Sequence, residues 1–409
     1  MQIPHKKKIN KITPVLLYKP TQNYLEKFQD DYYDKPRKCP QCKSSNRKKL
    51  TVEEKLFCII IVNGKFKRIT VFVLRFQCKD CSKTYYAKAP FYDKLMYGKP
   101  IVDLILYLAA KNPFHRIETK LLEYGIQVDE DTCRNYAIKF QDKVKKYAKI
   151  SVLGKEVGIN LLKVMFGVEN VKELKRKYPH KKFDSVSDET YPAIKGAKKK
   201  FEEINKWRKL RGEEPFKYPD GWTLAVSYLA MLKLFASIVI TATSFNRMFA
   251  DALMEPLNGS DYDLTDGSPC YNSDNHERCL FHKAKNLAKK DKQLKKMKKE
   301  KEPPDEIRKY LKEEYKKLED EQLNLLREKY PIFVVDGNFI GAATTNAMEG
   351  GNWRLKYELR TSYSNLNAVT ARSILICLQD SIYTFRNGIP DESFAHKHTT
   401  FSFGKIMGC

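Results

Sequence analysis

The chain has 409 residues, 42% of them hydrophobic and 12% aromatic. That is enough for two or three domains with at least one sizeable core, and it excludes a wholly disordered chain. Lys and Arg number 76 against 50 Asp and Glu, a formal charge of +26, which implies a polyanionic partner because neutralised phosphates release condensed counterions.

No segment reaches the ~20 apolar residues that span a bilayer, so no membrane partner is expected. The ten cysteines do not form the framework of a small secreted disulfide domain. Four fall into two Cys-x-x-Cys pairs and the others are isolated, which suits a reducing compartment and a metal site. An intracellular protein, cytoplasmic and associated with the nucleoid, is expected.

Residues 1–35 read as a weakly structured basic lead. Residues 36–90 carry the sharpest local signal, Cys39-Pro-Gln-Cys42 and Cys78-Lys-Asp-Cys81. Two such knuckles place four thiolates tetrahedrally around a structural Zn²⁺, a zinc ribbon whose metal supplies folding energy. Between them the apolar runs Leu56–Val62 and Ile69–Phe76 flank Asn63-Gly64, a hairpin turn signal. Lys43, Arg47, Lys48, Lys49, Lys79 and Lys83 surround the knuckles.

Residues 91–150 turn helical. Ile101–Ala110 and Arg116–Tyr124 are apolar-periodic, the latter ended by Gly125. A third helix starts at Asp129 or Asp131 as N-cap and runs through Tyr136 and Phe140 to Tyr147. The pattern fits a helix-turn-helix over 116–145, with Thr132, Arg134, Asn135 and Lys139 on its polar face as DNA contacts. An ordinary amphipathic helical pair has the same pattern.

The rest, 180–395, reads as an α/β catalytic domain. Trp222–Leu229, Phe235–Ala242, Tyr262–Leu264 and Ile332–Val335 read as strands, and Phe245–Leu257, Asn346–Arg360 and Ala368–Phe385 as helices. A charged helical insertion at 283–330 is broken at Pro303-Pro304. Its Lys283–Glu302 stretch carries ten lysines against three acids, a DNA backbone contact or a solvated helix.

Two-metal strand transfer needs about three carboxylates converging from different elements. Asp188, Asp266 and Glu349 fit as catalytic residues and ligands to two Mg²⁺ or Mn²⁺ ions. Asp188 lies in a strand-like run, Asp266 ends a short strand, and Glu349 opens a helix. Asp184, Glu189 and Asp336 are nearby rivals. His276, Cys279 and His282 could hold a metal or simply pack.

Asp188-Glu-Thr-Tyr followed by Ile194-Lys-Gly, Thr265-Asp266-Gly-Ser and Thr345-Asn-Ala-Met-Glu349 resemble the three acidic motifs of prokaryotic insertion-sequence transposases of the Asp-Asp-Glu type. Cys279-Leu-Phe-His282 is similar to a signature of the Mutator-like group. The resemblance covers nearly the whole chain. It implies an RNase H-like core with a helical insertion, preceded by zinc-ribbon and helix-turn-helix modules.

It also implies double-stranded DNA as partner, both terminal repeats and target, and metal-dependent cleavage and strand transfer. Synapsis of two ends implies a homo-oligomer, at least a dimer on DNA. Arg354, Lys356 and Arg360 follow Glu349 and would contact DNA, Lys356 near the cut. Gly350-Gly351 directly after Glu349 departs from a regular helix. The alternative is a transposase-derived, catalytically inactive DNA-binding regulator.

Overall fold

The computed structural model describes residues 15–190, 202–203, 205–215, 223–241, 246–266, 268, 270–271, 276–344, 355 and 366–387. The chain divides into two compact units, with the boundary between Phe140 and Gln141.

The first unit is built on a long hairpin of β2 (Arg47–Val62) and β3 (Lys65–Cys78). Asn63 (φ 50°) and Gly64 (φ 74°) make its turn, the left-handed pair that the right-handed strand twist favours. The ladder extends well beyond the two apolar runs, reaching Arg47↔Cys78. Apart from Val52 and Phe66, the extra length is polar on its exposed positions, so hydrophobicity alone did not mark it. The outer edge of β3 is covered by β1 (Tyr32–Tyr33), parallel to it, and β4 (Thr84–Tyr86), antiparallel to it.

Helix α1 (Val15–Glu26) lies within the expected basic lead. It buries Leu25, and its Gln22 donates to the Ile61 carbonyl at 3.3 Å.

The helices are α2 (Lys99–Lys111), α3 (Phe114–Glu123) and α4 (Glu130–Ala148). In α2 the residues Ile101, Ile105, Leu108 and Ala109 are buried, and in α3 Phe114, Ile117 and Leu121, both at helical spacing. Asp129, not Asp131, caps α4, accepting from the Thr132 N–H at 2.7 Å.

Hairpin and helices are tied by backbone hydrogen bonds, Gly98 N–H to Phe57 O, Ile61 N–H to Gly125 O, and Gln127 N–H to Ile59 O, at 2.8–2.9 Å. Gly98 permits this approach, since a Cβ there would stand 2.2 Å from the Phe57 ring.

The second unit holds a seven-stranded sheet ordered β11-β10-β7-β8-β9-β6-β5. The strands are β5 (Lys149–Val152), β6 (Lys155–Asn160), β7 (Asp184–Thr190), β8 (Thr223–Leu229), β9 (Leu234–Thr241), β10 (Tyr262–Thr265) and β11 (His276–Arg278). From β5 to β7 neighbours run antiparallel, whereas β10 is parallel to β7 and β11 to β10.

Strands β8 and β9 are buried almost throughout, so they read as continuous apolar runs rather than alternating ones. Helices α5 (Leu161–Phe166) and α6 (Val171–Lys177) contribute Leu162, Val171 and Leu174 to one core cluster with Phe183, Leu229 and Leu234. Helix α7 (Arg247–Met254) places Phe249, Ala250 and Leu253 against Ala225, Val239 and Tyr271.

The insertion comprises α8 (Leu280–Lys290), α9 (Lys292–Lys299) and α10 (Pro304–Lys329). Pro303 caps α10 and Pro304 opens it, where a missing N–H costs nothing. Only Val334–Val335 of the expected strand at 332–335 forms one, β12, paired with β13 (Asn338–Phe339). The final helix, α11 (Leu366–Asn387), follows, and its Ser381 hydroxyl accepts from the Phe235 N–H of β9 at 3.1 Å. The expected helix at 346–360 lies outside the described residues, apart from Leu355.

Candidate functional site

The four paired cysteines converge. Cys39 and Cys42 lie in a tight turn before β2, where the Lys43 N–H donates to the Cys39 carbonyl at 2.9 Å and Lys43 adopts φ 61°. Cys78 ends β3 and its N–H donates to the Lys83 carbonyl at 2.9 Å, with Ser82 at φ 58°. The hairpin register then brings the turns together.

Their four Sγ atoms lie within 4.8 Å of one another, with Cys39–Cys81 at 3.6 Å and Cys42–Cys78 at 3.4 Å. A tetrahedral ion with Zn–S bonds of about 2.3 Å sets its sulfurs roughly 3.8 Å apart. The cluster can therefore hold a metal such as zinc, and all four ligand positions are used. By contrast, burial pushes the isolated thiols of Cys58 and Cys133 up to about 12, which keeps them inert.

On α4, Asn135 and Lys139 are exposed while Cys133, Tyr136, Ala137 and Phe140 are buried. Arg134 lies between these faces and is held by Asp131 at 2.9 Å and by Glu130. The Thr132 hydroxyl donates to Asp129 at 2.7 Å. Arg354, Lys356 and Arg360 lie outside the described residues.

The candidate acids are sorted by strand geometry. Parallel pairing sets Tyr262 opposite Asp184 and Leu264 opposite Val186. Asp188 and Asp266 each lie two residues past the last of these paired positions, Asp266 just beyond the end of β10, and the charges of both reach Glu189. Both acids are partly exposed at the carboxyl ends of adjacent parallel strands, where ligands gather in open α/β sheets. The Ser268 N–H donates to Asp266 at 2.7 Å and fixes the turn.

Glu189 belongs to the same acidic locus. It accepts from the Tyr271 hydroxyl at 2.8 Å. Burial and the charge of Asp266, then that of Asp188, push its carboxyl up to about 7 against the pull of that hydrogen bond. The locus thus concentrates negative charge that a cation would relieve.

Asp184 has a different task. It is fully buried and accepts from the Met231 and Ala342 N–H groups, each at 2.8 Å. It ties β7 to the β8–β9 turn and to the segment after β13. Burial raises its carboxyl above the usual range. Asp336 sits at φ 48° in the exposed β12–β13 turn. Glu349, the third acid of the expected triad, lies outside the described residues.

His276 shares a hydrogen bond with the Thr265 hydroxyl, and the Cys279 N–H donates to the Thr265 carbonyl at 2.7 Å. Both bonds link β10 to β11 and its continuation. Among the described residues, Cys39, Cys42, Cys78 and Cys81 are the one group of three or more His, Cys, Asp or Glu ligands close enough to share an ion. The Glu189–Tyr271 contact had no signal in the sequence, since its partners are 82 residues apart.

No protein-family model matches the chain, and no curated protein matches it. No helix among the described residues is long and apolar enough to cross a membrane.

Proposed function

We propose that the chain is a DNA transposase that cleaves and joins DNA with Asp188, Asp266 and Glu349, after recognising its element's ends through the first unit. The observation that carries this reading is that Asp188 and Asp266, 78 residues apart in sequence, lie towards the carboxyl ends of two adjacent parallel strands and that the charges of both act on Glu189. The order β11-β10-β7-β8-β9 supports an RNase H-like core. It has three consecutive antiparallel strands and two parallel ones beside the first, with Asp188 on β7 and Asp266 just past β10.

The donor set fits hard divalent cations, because carboxylate oxygens suit Mg²⁺ and Mn²⁺. Asp188, Asp266 and Glu349 would hold two such ions, which when bound supply Lewis-acid stabilisation of charge at the scissile phosphate. Glu189, held by Tyr271, is the neighbouring acid that stays protonated more readily and so limits the charge the site must carry.

In the first unit, Asn135 and Lys139 present a polar helical face to the major groove, and Arg134 would have to leave Glu130 and Asp131 to reach a base. The four cysteines hold structural zinc, which fixes the base of the hairpin. Joining two ends calls for at least two copies on DNA.

The test is Mg²⁺-dependent nicking of a plasmid carrying the DNA that flanks the coding sequence. Nicking by the wild-type chain that Asp188→Ala and Asp266→Ala both lose, with DNA binding retained, supports the reading. Wild-type protein that binds this DNA without ever nicking it points instead to an inactive regulator.

A further inference from the structure

The chain also carries a run of concentrated positive charge that neither the cysteine cluster nor the acidic locus uses. Residues 283–302 contain ten lysines, three acids and no arginine. Helix α9, in the middle of this stretch, is firmly mounted. Asp291 caps it, accepting from the N–H groups of Gln293 at 2.8 Å and Leu294 at 3.0 Å, and also takes the Tyr310 hydroxyl of α10 at 2.8 Å. Leu294 is buried beneath it.

Every lysine from 289 to 301 is exposed. Two of the three acids are already engaged, Asp291 in the cap and Glu300 with Lys296 at 3.9 Å.

Helix α10, against which α9 is mounted, differs sharply. Its 26 residues carry eight acids and seven bases, with pairs such as Lys317–Glu314 at 2.6 Å and Arg308–Asp305 at 3.5 Å. A surface charged only for solubility would mix signs on both helices. Here the signs are balanced on one and segregated on the other.

The residue type is also informative. An ammonium is a compact point charge that meets phosphate from many directions, and the stretch lacks the rigid planar fork with which arginine fixes the geometry of a base contact.

We infer that the lysine face of α9 and its flanks binds duplex DNA through the phosphate backbone without reading sequence. Resting on the transposase reading, it is the surface for target DNA, leaving recognition of the ends to the first unit. Phosphate contacts give affinity and no sequence information, so such a surface would accept duplexes of any sequence.

The experiment uses the full chain and random-sequence duplexes. Lys295, Lys296, Lys298 and Lys299 are changed together to Gln, and Lys309, Lys312, Lys316 and Lys317 of α10 form a matched second set. All eight side chains are exposed, so both variants should keep the wild-type melting temperature.

Each neutralised phosphate contributes about −0.9 to the slope of log affinity against log salt. The α9 variant should therefore show a slope shallower by about 3 to 4, equally for duplexes of unrelated sequence, and the α10 set less than half of that change. An unchanged slope in the α9 variant overturns the inference. So does a loss confined to one sequence, or a loss of binding to polyglutamate with duplex binding intact.

Cleavage is scored separately. Active wild-type protein with an unchanged α9 slope refutes the inference alone. A shifted slope with no cleavage refutes the transposase reading and leaves the lysine face a backbone-binding surface.

Discussion

Asp184 and Asp188 stand four residues apart on β7, yet their substitution should separate a structural carboxylate from a catalytic one. Removing the buried Asp184 side chain strands two part-buried N–H donors, those of Met231 and Ala342. Each stranded donor costs about 1–3 kcal/mol, so Asp184→Ala should destabilise the second unit by about 2–6 kcal/mol. For a domain of this size that corresponds to a fall in Tm of roughly 5–20 °C.

Asp184→Asn keeps one acceptor oxygen and should lose about half as much. Asp188 is partly exposed, so Asp188→Ala should lower Tm by less than half of the Asp184→Ala effect while removing cleavage. Thermal melting by near-ultraviolet circular dichroism on the three variants reads this directly. An Asp184→Ala protein that melts with the wild type would refute the structural assignment, and Asp184 would return as a rival catalytic acid.

Purified protein should carry about one zinc per chain by elemental analysis, and Cys78→Ser should lose it; a zinc content unaffected by that change would refute the four-cysteine site. Glu189 titrates near 7 in the fold against 4.5 ordinarily. The folded state therefore holds the extra proton between those values, and the stability it contributes is complete below the lower value and lost as pH rises through the upper one. Without added divalent ion, Glu189→Gln should raise Tm at pH 8 relative to wild type and leave it unchanged at pH 4; equal effects at both would contradict this. Asp129→Ala removes the α4 cap and should cost about 1 kcal/mol, measured by denaturant unfolding, with no loss of bound zinc.

Much of the architecture was legible because its signals are local. The paired cysteines, the Asn63-Gly64 turn, helices α2 to α4, strands β8 to β10 and the break before α10 each follow from periodicity or turn chemistry within a short window. The β5–β6 hairpin was missed because Lys149–Asn160 mixes charged and apolar residues around a Leu153-Gly154 turn. It pairs with β9 only because Gly158 lets the backbone approach, as a Cβ there would stand 2.3 Å from the Ile238 carbonyl.

Helix α1 was masked by Pro20 and the lysine-rich run before it, and is held by Leu25 and by bonds to Ile61. At the acidic locus, sequence singled out Asp188 and Asp266 by motif, and the parallel β7–β10 pairing carries both towards the same end of the sheet. The different fates of Asp184 and Glu189 depend on partners 47 to 158 residues away. No local pattern reports such distances.

The most direct test of the proposed metal-assisted cleavage at Asp188 is a switch of metal preference. A thiolate ligand favours softer ions than a carboxylate does. The Asp188→Cys chain should therefore fail to cleave flanking-end DNA in Mg²⁺ and recover cleavage in Mn²⁺. Asp188→Cys protein that cleaves in Mg²⁺ as fast as the wild type would show that Asp188 holds no catalytic metal.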